Sequence, residues 1–243
     1  MDARKQDFSP TTLDFGALRV KLARHFGFCF GVENAIEISY KAIAENPGKR
    51  IFLLSQIIHN PEVNEDLQSR GVMFLQDTLG NEITPINEVS KEDVVIIPAF
   101  GATLEIQSQL EQLGVDVLKY NTTCPFVEKV WKRSAKLGAE NYTVVLHGKP
   151  DHEETRATFS YAASDGHAMI VADLDEALNL AEIIKGQGTN VDDFWALFEG
   201  RTTDGFDPSL HLQKVGVVNQ TTMIAAETQE IADKIKEAVG EAG

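Results

Sequence analysis

The chain has 243 residues, long enough to bury a sizeable core as one large domain or two medium ones. At 43% apolar and 24% charged residues its composition is that of an ordinary globular protein, and no apolar run approaches the length of a membrane span. With 22 basic residues against 37 acidic ones the net charge is −15, which speaks against general nucleic-acid binding. It leaves room for a small anionic ligand, because a local nest of N–H groups and imidazoles can oppose the overall field.

Residues 1–17, "MDARKQDFSPTTLDFGA", have no apolar segment of the kind a secretory signal needs. They carry Asp2, Asp7 and Asp14, which a transit peptide avoids, so they read as a flexible arm of a cytoplasmic protein. The alternating run "LRVKLA" (18–23) predicts a strand, handing over through "HFGFCFGV" to the helix "ENAIEISYKAIAEN". "RIFLLS" (50–55) and "DVVIIPA" (93–99) predict strands, each followed by a helix: "PEVNEDLQSRG" (61–71) and "TLEIQSQLEQLG" (103–114). "VDVLKY" (115–120) predicts a further strand, and "PFVEKVWKRSAKLG" (125–138) a helix with proline at its first position, where a missing N–H costs nothing.

"YTVVLHG" (142–148) and "AMIVA" (168–172) predict strands. "DLDEALNLAEIIKG" (173–186) opens with Asp173 and has Glu176 three residues on, a start like a capping box. The stretch from Lys185 to Lys214, around "DDFWALFEG", reads as an insertion. "KVGVVNQ" (214–220) predicts the last strand and "TMIAAETQEIADKIKEAVG" (222–240) the last helix, with Thr222 as its cap.

Short apolar strands alternating with helices predict an α/β protein of two similar lobes, 18–123 and 124–243, each a mostly parallel sheet flanked by helices. In such sheets ligands bind outside the carboxyl ends of the strands. Six predicted strand ends share one rim, and their loops hold Cys29; His59 and Asn60; the apolar Phe100; Cys124; His147, His152, Glu153 and Glu154; and Gln220 and Thr221. Both cysteines fall at helix starts, where helical N–H groups favour the thiolate, the form that ligates metal. Two cysteines without a signal peptide do not suggest a structural disulfide. Taken singly, each residue has an ordinary reading. Cys29 between two phenylalanines suits a core, "HEET" suits a solvated helix start, and "NQTT" suits N-cap chemistry. The chemistry rests on their gathering at one rim.

"GFCFGVENAI", "IIHNPEV", "PAFGA", "NTTCPFVEKVW", "HGKPDHEETRAT" and "VVNQTTM" occur in that order, and together they resemble the 4-hydroxy-3-methylbut-2-enyl diphosphate reductases. The Phe100 and "HEET" forms resemble the plant and cyanobacterial branch of that family. The resemblance implies a three-lobe fold around a 4Fe-4S cluster held by three cysteines. Cys29 and Cys124 would be two of these metal ligands. It implies that His59 and His152 hold the substrate diphosphate, that Glu154 donates a proton, and that Thr221 relays between Glu154 and the substrate hydroxyl, with Gln220 in the same turn as a further substrate-binding residue. The product would be isopentenyl and dimethylallyl diphosphate, and the electron donor a ferredoxin- or flavodoxin-like carrier. Where Phe100 stands, the bacterial branch has a histidine contact to the diphosphate; phenylalanine donates no hydrogen bond. The family's third lobe and third cysteine have no counterpart in these 243 residues, so the sequence is expected to be a fragment with little or no activity. Two other functions fit the same residues: a non-redox diphosphate-binding α/β protein with buried, inert cysteines, and a two-thiol oxidoreductase, against which the lack of a C-x-x-C motif counts.

Overall fold

The structure, a computed structural model, describes residues 9–24, 26–186 and 191–242. The first eight residues of the expected arm and residues 187–190 of the expected insertion lie outside the described residues. The remainder of the arm is not all irregular: β1 (Thr11–Asp14) pairs antiparallel with β2 (Arg19–Leu22), Leu13 opposite Val20. The run "LRVKLA" is therefore one limb of an exposed hairpin rather than part of a buried parallel sheet. Its alternation predicts a strand with one apolar face but says nothing about which strand it joins.

After α1 (Phe30–Glu45) come β3 (Ile51–Leu53), α2 (Pro61–Ser69), β4 (Val72–Phe74), a 3-10 turn at Ile86–Glu88, β5 (Val94–Ile96) and α3 (Leu104–Gln112). The parallel order is β4-β3-β5. β4 was not anticipated: three residues that follow a helix directly at Gly71 give too short a run for periodicity to declare. The predicted strand 115–120 does not form. Its place is taken by turns, with Asn121 making a single parallel bridge to Ile97.

α4 (Pro125–Ala139) leads into β6 (Thr143–His147), α5 (Glu153–Asp165), β7 (Ala168–Val171), α6 (Leu174–Lys185), α7 (Val191–Phe198), α8 (Pro208–His211), β8 (Val215–Asn219) and α9 (Ala225–Ala242). The second sheet is again parallel, in the order β7-β6-β8. The two sheets thus share one plan: the first strand is central and the next two flank it on opposite sides.

Each central strand is buried on both faces, which is why it reads as a continuous apolar run. Ile51 and Leu53 pack with α1 and α2, whereas Phe52 and Leu54 face the side that holds Leu110 of α3. Val145 packs with Leu180 of α6 and Ile231 of α9, while Val144 and Leu146 pack towards Leu137 and Ala162 of α4 and α5. The expected insertion is part of this core, since Phe194 and Phe198 of α7 are fully buried beside Met169 and Leu180. The final helix begins at Ala225 rather than at Thr222, and Thr222 does not cap it; its hydroxyl accepts a hydrogen bond from Gln220 Nε2 at 2.6 Å. Among the described residues no helix is long and apolar enough to cross a membrane.

Candidate active site

The two sheets are joined where the site forms. From the first sheet, Leu104 N–H at the start of α3 donates to Ser160 Oγ of α5 (2.7 Å), and Gln107 Nε2 donates to Tyr161 Oη (2.8 Å). Tyr161 in turn stacks on Trp131 of α4, ring centroids 3.9 Å apart. The carboxyl ends of β3, β5 and β8 and the first turn of α5 face a common cavity of about 310 Å3.

Cys29 is the N-cap of α1 and Cys124 the N-cap of α4, and neither sulfur accepts a capping hydrogen bond. Both are free thiols, Cys29 exposed and Cys124 half-buried, and both line the cavity. The segment before Cys124 is fixed along β5: Thr122 N–H donates to Ile97 O (3.0 Å) and Cys124 N–H to Ala99 O (2.9 Å). Gly31, in the first turn of α1, allows the two helix starts to meet. A Cβ there would stand 2.6 Å from Cys124 Sγ. Gly31 escaped the sequence reading, although a glycine inside a helix costs about 1 kcal/mol relative to alanine and so signals a close approach.

Glu154 is almost wholly buried in the first turn of α5. Its Oε1 accepts the Thr221 backbone N–H and its Oε2 accepts the Thr221 hydroxyl at 2.8 Å. Burial raises its pKa above the ordinary carboxylate range, and the two Thr221 bonds oppose that rise. The pair can pass a proton by exchanging donor and acceptor. When Oε2 carries the proton it donates to Thr221 Oγ1, and the Thr221 hydroxyl hydrogen is freed to point into the cavity.

His59, after β3, stacks on Phe100 with centroids 4.4 Å apart, and its Nε2 lies 3.2 Å from His152 Nε2. His152 is the N-cap of α5, and its Nδ1 accepts the Glu154 backbone N–H at 3.1 Å. That bond sets the tautomers. Neutral His152 holds its proton on Nε2 and donates it to His59 Nε2, whose own proton then sits on Nδ1. Burial, followed by the positive charges of His59, Lys149 and Arg156, brings the His152 pKa down to about 4; burial also lowers that of His59. Phe100 thus fixes the orientation of the His59 ring.

Gln220 is brought near the cavity but does not line it. Its Oε1 accepts from Lys149 N–H (3.1 Å) and Thr155 Oγ1 (3.0 Å), and its Nε2 serves Thr222. With both ends of its amide engaged, Gln220 braces the turn that presents Thr221. His147 is fully buried and pairs through Nδ1 with Thr228 Oγ1 (2.9 Å), away from the cavity. Among the described residues no group of three or more His, Cys, Asp or Glu side chains is placed to hold a metal ion.

Two parallel α/β units that share a cavity, with a thiol from each side and a buried carboxyl–hydroxyl pair between them, define an α/β protein whose site is assembled at a joint. The family model described as LytB protein matches residues 20–242. The chain belongs to that family. It is 43% identical over 219 residues to the 4-hydroxy-3-methylbut-2-enyl diphosphate reductase of Prochlorococcus marinus (strain NATL1A), covering 90% of this chain and 53% of that protein. To the enzyme of the same name from Synechococcus sp. (strain WH7803) it is 42% identical, covering 90% and 53%. Among solved structures it resembles the E-1-hydroxy-2-methyl-but-2-enyl-4-diphosphate reductase from Plasmodium falciparum, with a TM-score of 0.65 and 23% identity over 90% of this chain and 56% of that one, a likeness of fold. The chain spans about half the length of the curated relatives it matches.

Proposed function

We propose that the chain contributes the first two lobes, 18–123 and 124–243, of a 4-hydroxy-3-methylbut-2-enyl diphosphate reductase. This enzyme takes two electrons and two protons to convert its allylic diphosphate into isopentenyl or dimethylallyl diphosphate and water. The observation that carries the reading is the convergence of Cys29, Cys124, His59, Glu154 and Thr221, from five separate segments, on one cavity.

The donor set suits an iron–sulfur cluster in part. Cys29 and Cys124 are unpaired thiols, free of capping bonds, at two helix N-termini whose dipoles favour an anionic group. The 243 residues hold two cysteines, so a third thiolate would have to come from outside them. When bound, a 4Fe-4S cluster supplies single electrons and a Lewis-acidic iron for the substrate oxygen. Glu154 then acts as general acid, its proton reaching the departing hydroxyl through Thr221 Oγ1. Once the anion draws a second proton onto the pair and parts their Nε2 atoms, His59 and His152 hold the diphosphate through two Nε2–H donors, with Lys149 and Arg156 adding positive field. A ferredoxin- or flavodoxin-like protein is the proposed electron carrier. The exposed and half-exposed thiols weigh against the non-redox alternative, which wants them inert and sealed.

The test begins with iron. After anaerobic incubation with iron and sulfide and removal of the excess, the chain is expected to retain iron and sulfide in a coloured form that Cys29→Ser and Cys124→Ser each abolish. Equal retention by both variants would refute the ligand assignment. In a chain that also carries a third cysteine, Glu154→Gln is expected to keep the colour and lose turnover with a reduced viologen dye. Surviving turnover would remove Glu154 from the role of acid.

A further inference from the structure

Beside Glu154 and Thr221 stands a second pair, Thr155 and Gln220, that does not line the cavity. Thr155 is fully buried and follows Glu154 in the first turn of α5, and Gln220 precedes Thr221 just after β8. Two adjacent helix residues thus face two adjacent loop residues in reverse order. Glu154 holds Thr221, and Thr155 Oγ1 donates to Gln220 Oε1 at 3.0 Å. A threonine inside a helix often turns its hydroxyl back onto the helix's own carbonyls. The Thr155 hydroxyl reaches across the joint between α5 and β8 instead.

Gln220 is fixed at every polar atom. Its Oε1 also accepts Lys149 N–H (3.1 Å), and its Nε2 donates to Thr222 Oγ1 (2.6 Å), a bond between the two neighbours of Thr221. Its backbone N–H donates to His147 O (2.8 Å), and its carbonyl accepts Met223 N–H (3.0 Å), closing a turn with Thr221 at the second position. Nor is there slack around the Thr155 hydroxyl. A Cβ at Gly148 would stand 2.6 Å from Thr155 Oγ1 and 3.0 Å from Gln220 Cβ, so the loop after β6 closes over the bond with room for glycine alone. The distance of Thr221 from α5 is therefore set one residue away from Glu154, by a bond that carries no charge.

We propose that Thr155 is a positioning residue: its hydroxyl, acting through Gln220, sets the approach of Thr221 to Glu154 on which proton transfer depends. The consequence for turnover rests on the proposed reductase function; the geometry that Thr155 fixes does not. A proton passes along a hydrogen bond of about 2.6–3.2 Å, and the Thr221 hydroxyl lies 2.8 Å from Glu154 Oε2. The two Thr221 bonds are also what opposes the rise that burial imposes on Glu154, so the titration of Glu154 reports how firmly Thr221 is held. Cutting the Thr155 bond leaves Gln220 its Lys149 and Thr222 partners, so the turn persists and only its distance from α5 is released.

The first measurement follows the Glu154 carboxyl carbon against pH by NMR in the chain made with isotope-labelled glutamate, the signal being the one that Glu154→Gln removes. Thr155→Val keeps the shape and loses the donor, and should raise the Glu154 pKa by about one pH unit; Thr155→Ser keeps the donor and should leave the parent value. Gln220→Met cuts the same bond from its other end and should also raise it, which covers the case of Thr155→Val failing to fold. Combining the two substitutions should add nothing to Gln220→Met alone. In a chain that also carries a third cysteine, Thr155→Val should lower kcat with a reduced viologen dye about tenfold at unchanged KM, and Thr155→Ser should restore it. An unshifted Glu154 in Thr155→Val or Gln220→Met, an equal shift in Thr155→Ser, or turnover that survives the shift would overturn the assignment. If the unsubstituted chain with the third cysteine turns nothing over, the proposed reductase function fails, and the titration alone decides the role of Thr155.

Discussion

Replacing Glu153 by glutamine should make the protein more stable, and the size of the gain follows from its surroundings. The folded carboxyl titrates at about 7 against an ordinary value of 4.5, because burial disfavours the ionised form. At 1.36 kcal/mol for each pH unit of that difference, ionising it inside the fold costs roughly 3 kcal/mol more than in the unfolded chain. A carboxyl whose folded pKa is raised leaves the protein most stable below the unfolded value and withdraws that stability as pH rises through the folded one. The contribution is thus fully present below pH 4.5, declines across the window up to about 7, and is absent at pH 8. Glutamine keeps the shape and cannot ionise, so the unfolding free energy of the variant from urea titration should match the parent at pH 4.5 and exceed it by up to about 3 kcal/mol at pH 8. A variant that gains nothing at pH 8, or gains equally at both pH values, would mean that Glu153 reaches water or a partner when ionised, and the reasoning from its burial would fail.

Thr221→Val removes the hydroxyl donor to Glu154 Oε2 and should cost about 1.5–3 kcal/mol at pH 8 in urea unfolding. The loss should shrink towards pH 4.5, because Thr221 supports the ionised carboxylate, and a pH-independent loss would contradict that. Inorganic pyrophosphate should bind more tightly as pH falls from 8 to 6. His59 and His152 share one proton between their Nε2 atoms, and an anion facing both draws in a second; calorimetry in buffers of different ionisation enthalpy would read this uptake. His152→Gln should remove the pH dependence, and a pH-independent affinity in the parent would undo the proposed anion site. Phe198→Ala should destabilise the chain by about 3–5 kcal/mol in the same urea assay if α7 belongs to the core. A change below 1 kcal/mol would restore α7 to the status of an insertion.

What could be read from the sequence followed its strongest periodicities. The central strands β3 and β6 lie between two layers of helices, so every residue is apolar and the run announces itself. α4 and α6 carried their own boundaries, in Pro125 and in Asp173, whose Oδ1 accepts Glu176 N–H at 2.9 Å. "VDVLKY" failed because Val115 and Val117 are buried by packing in a turn, and only its last residue, Tyr120, whose carbonyl accepts Ile97 N–H (3.2 Å), reaches β5; burial alone imitates the strand pattern. The α7 segment misled for the opposite reason: its polar, Gly-containing flanks suggested surface, while Phe194 and Phe198 fill the space beside β7. Within the site, residues at strand ends and helix caps were legible because the topology of parallel sheets dictates where such ends meet. Gln220 shared the loop of Thr221 and was grouped with it; only coordinates distinguish a side chain that faces the cavity from its neighbour that braces the turn.

Glu153 and Glu154 show how two adjacent, identical side chains can acquire different chemistry. Both are buried on the first turn of one helix, where the dipole favours a negative charge. Glu154 meets two donors from a single residue, Thr221, across the joint between α5 and β8, so its ionised form is supported and its proton has a defined route out. Glu153 has no hydrogen-bond partner of ordinary geometry, and Ser55 and the Arg156 charge offset only part of the burial that penalises its ionised form. Ordinary selection for stability would replace such a residue with something apolar, since an unpaired buried carboxylate at neutral pH costs more than the packing it provides. One residue's offset on a helix thus decides whether a buried carboxyl is held ready to move a proton or only carries the cost of its burial.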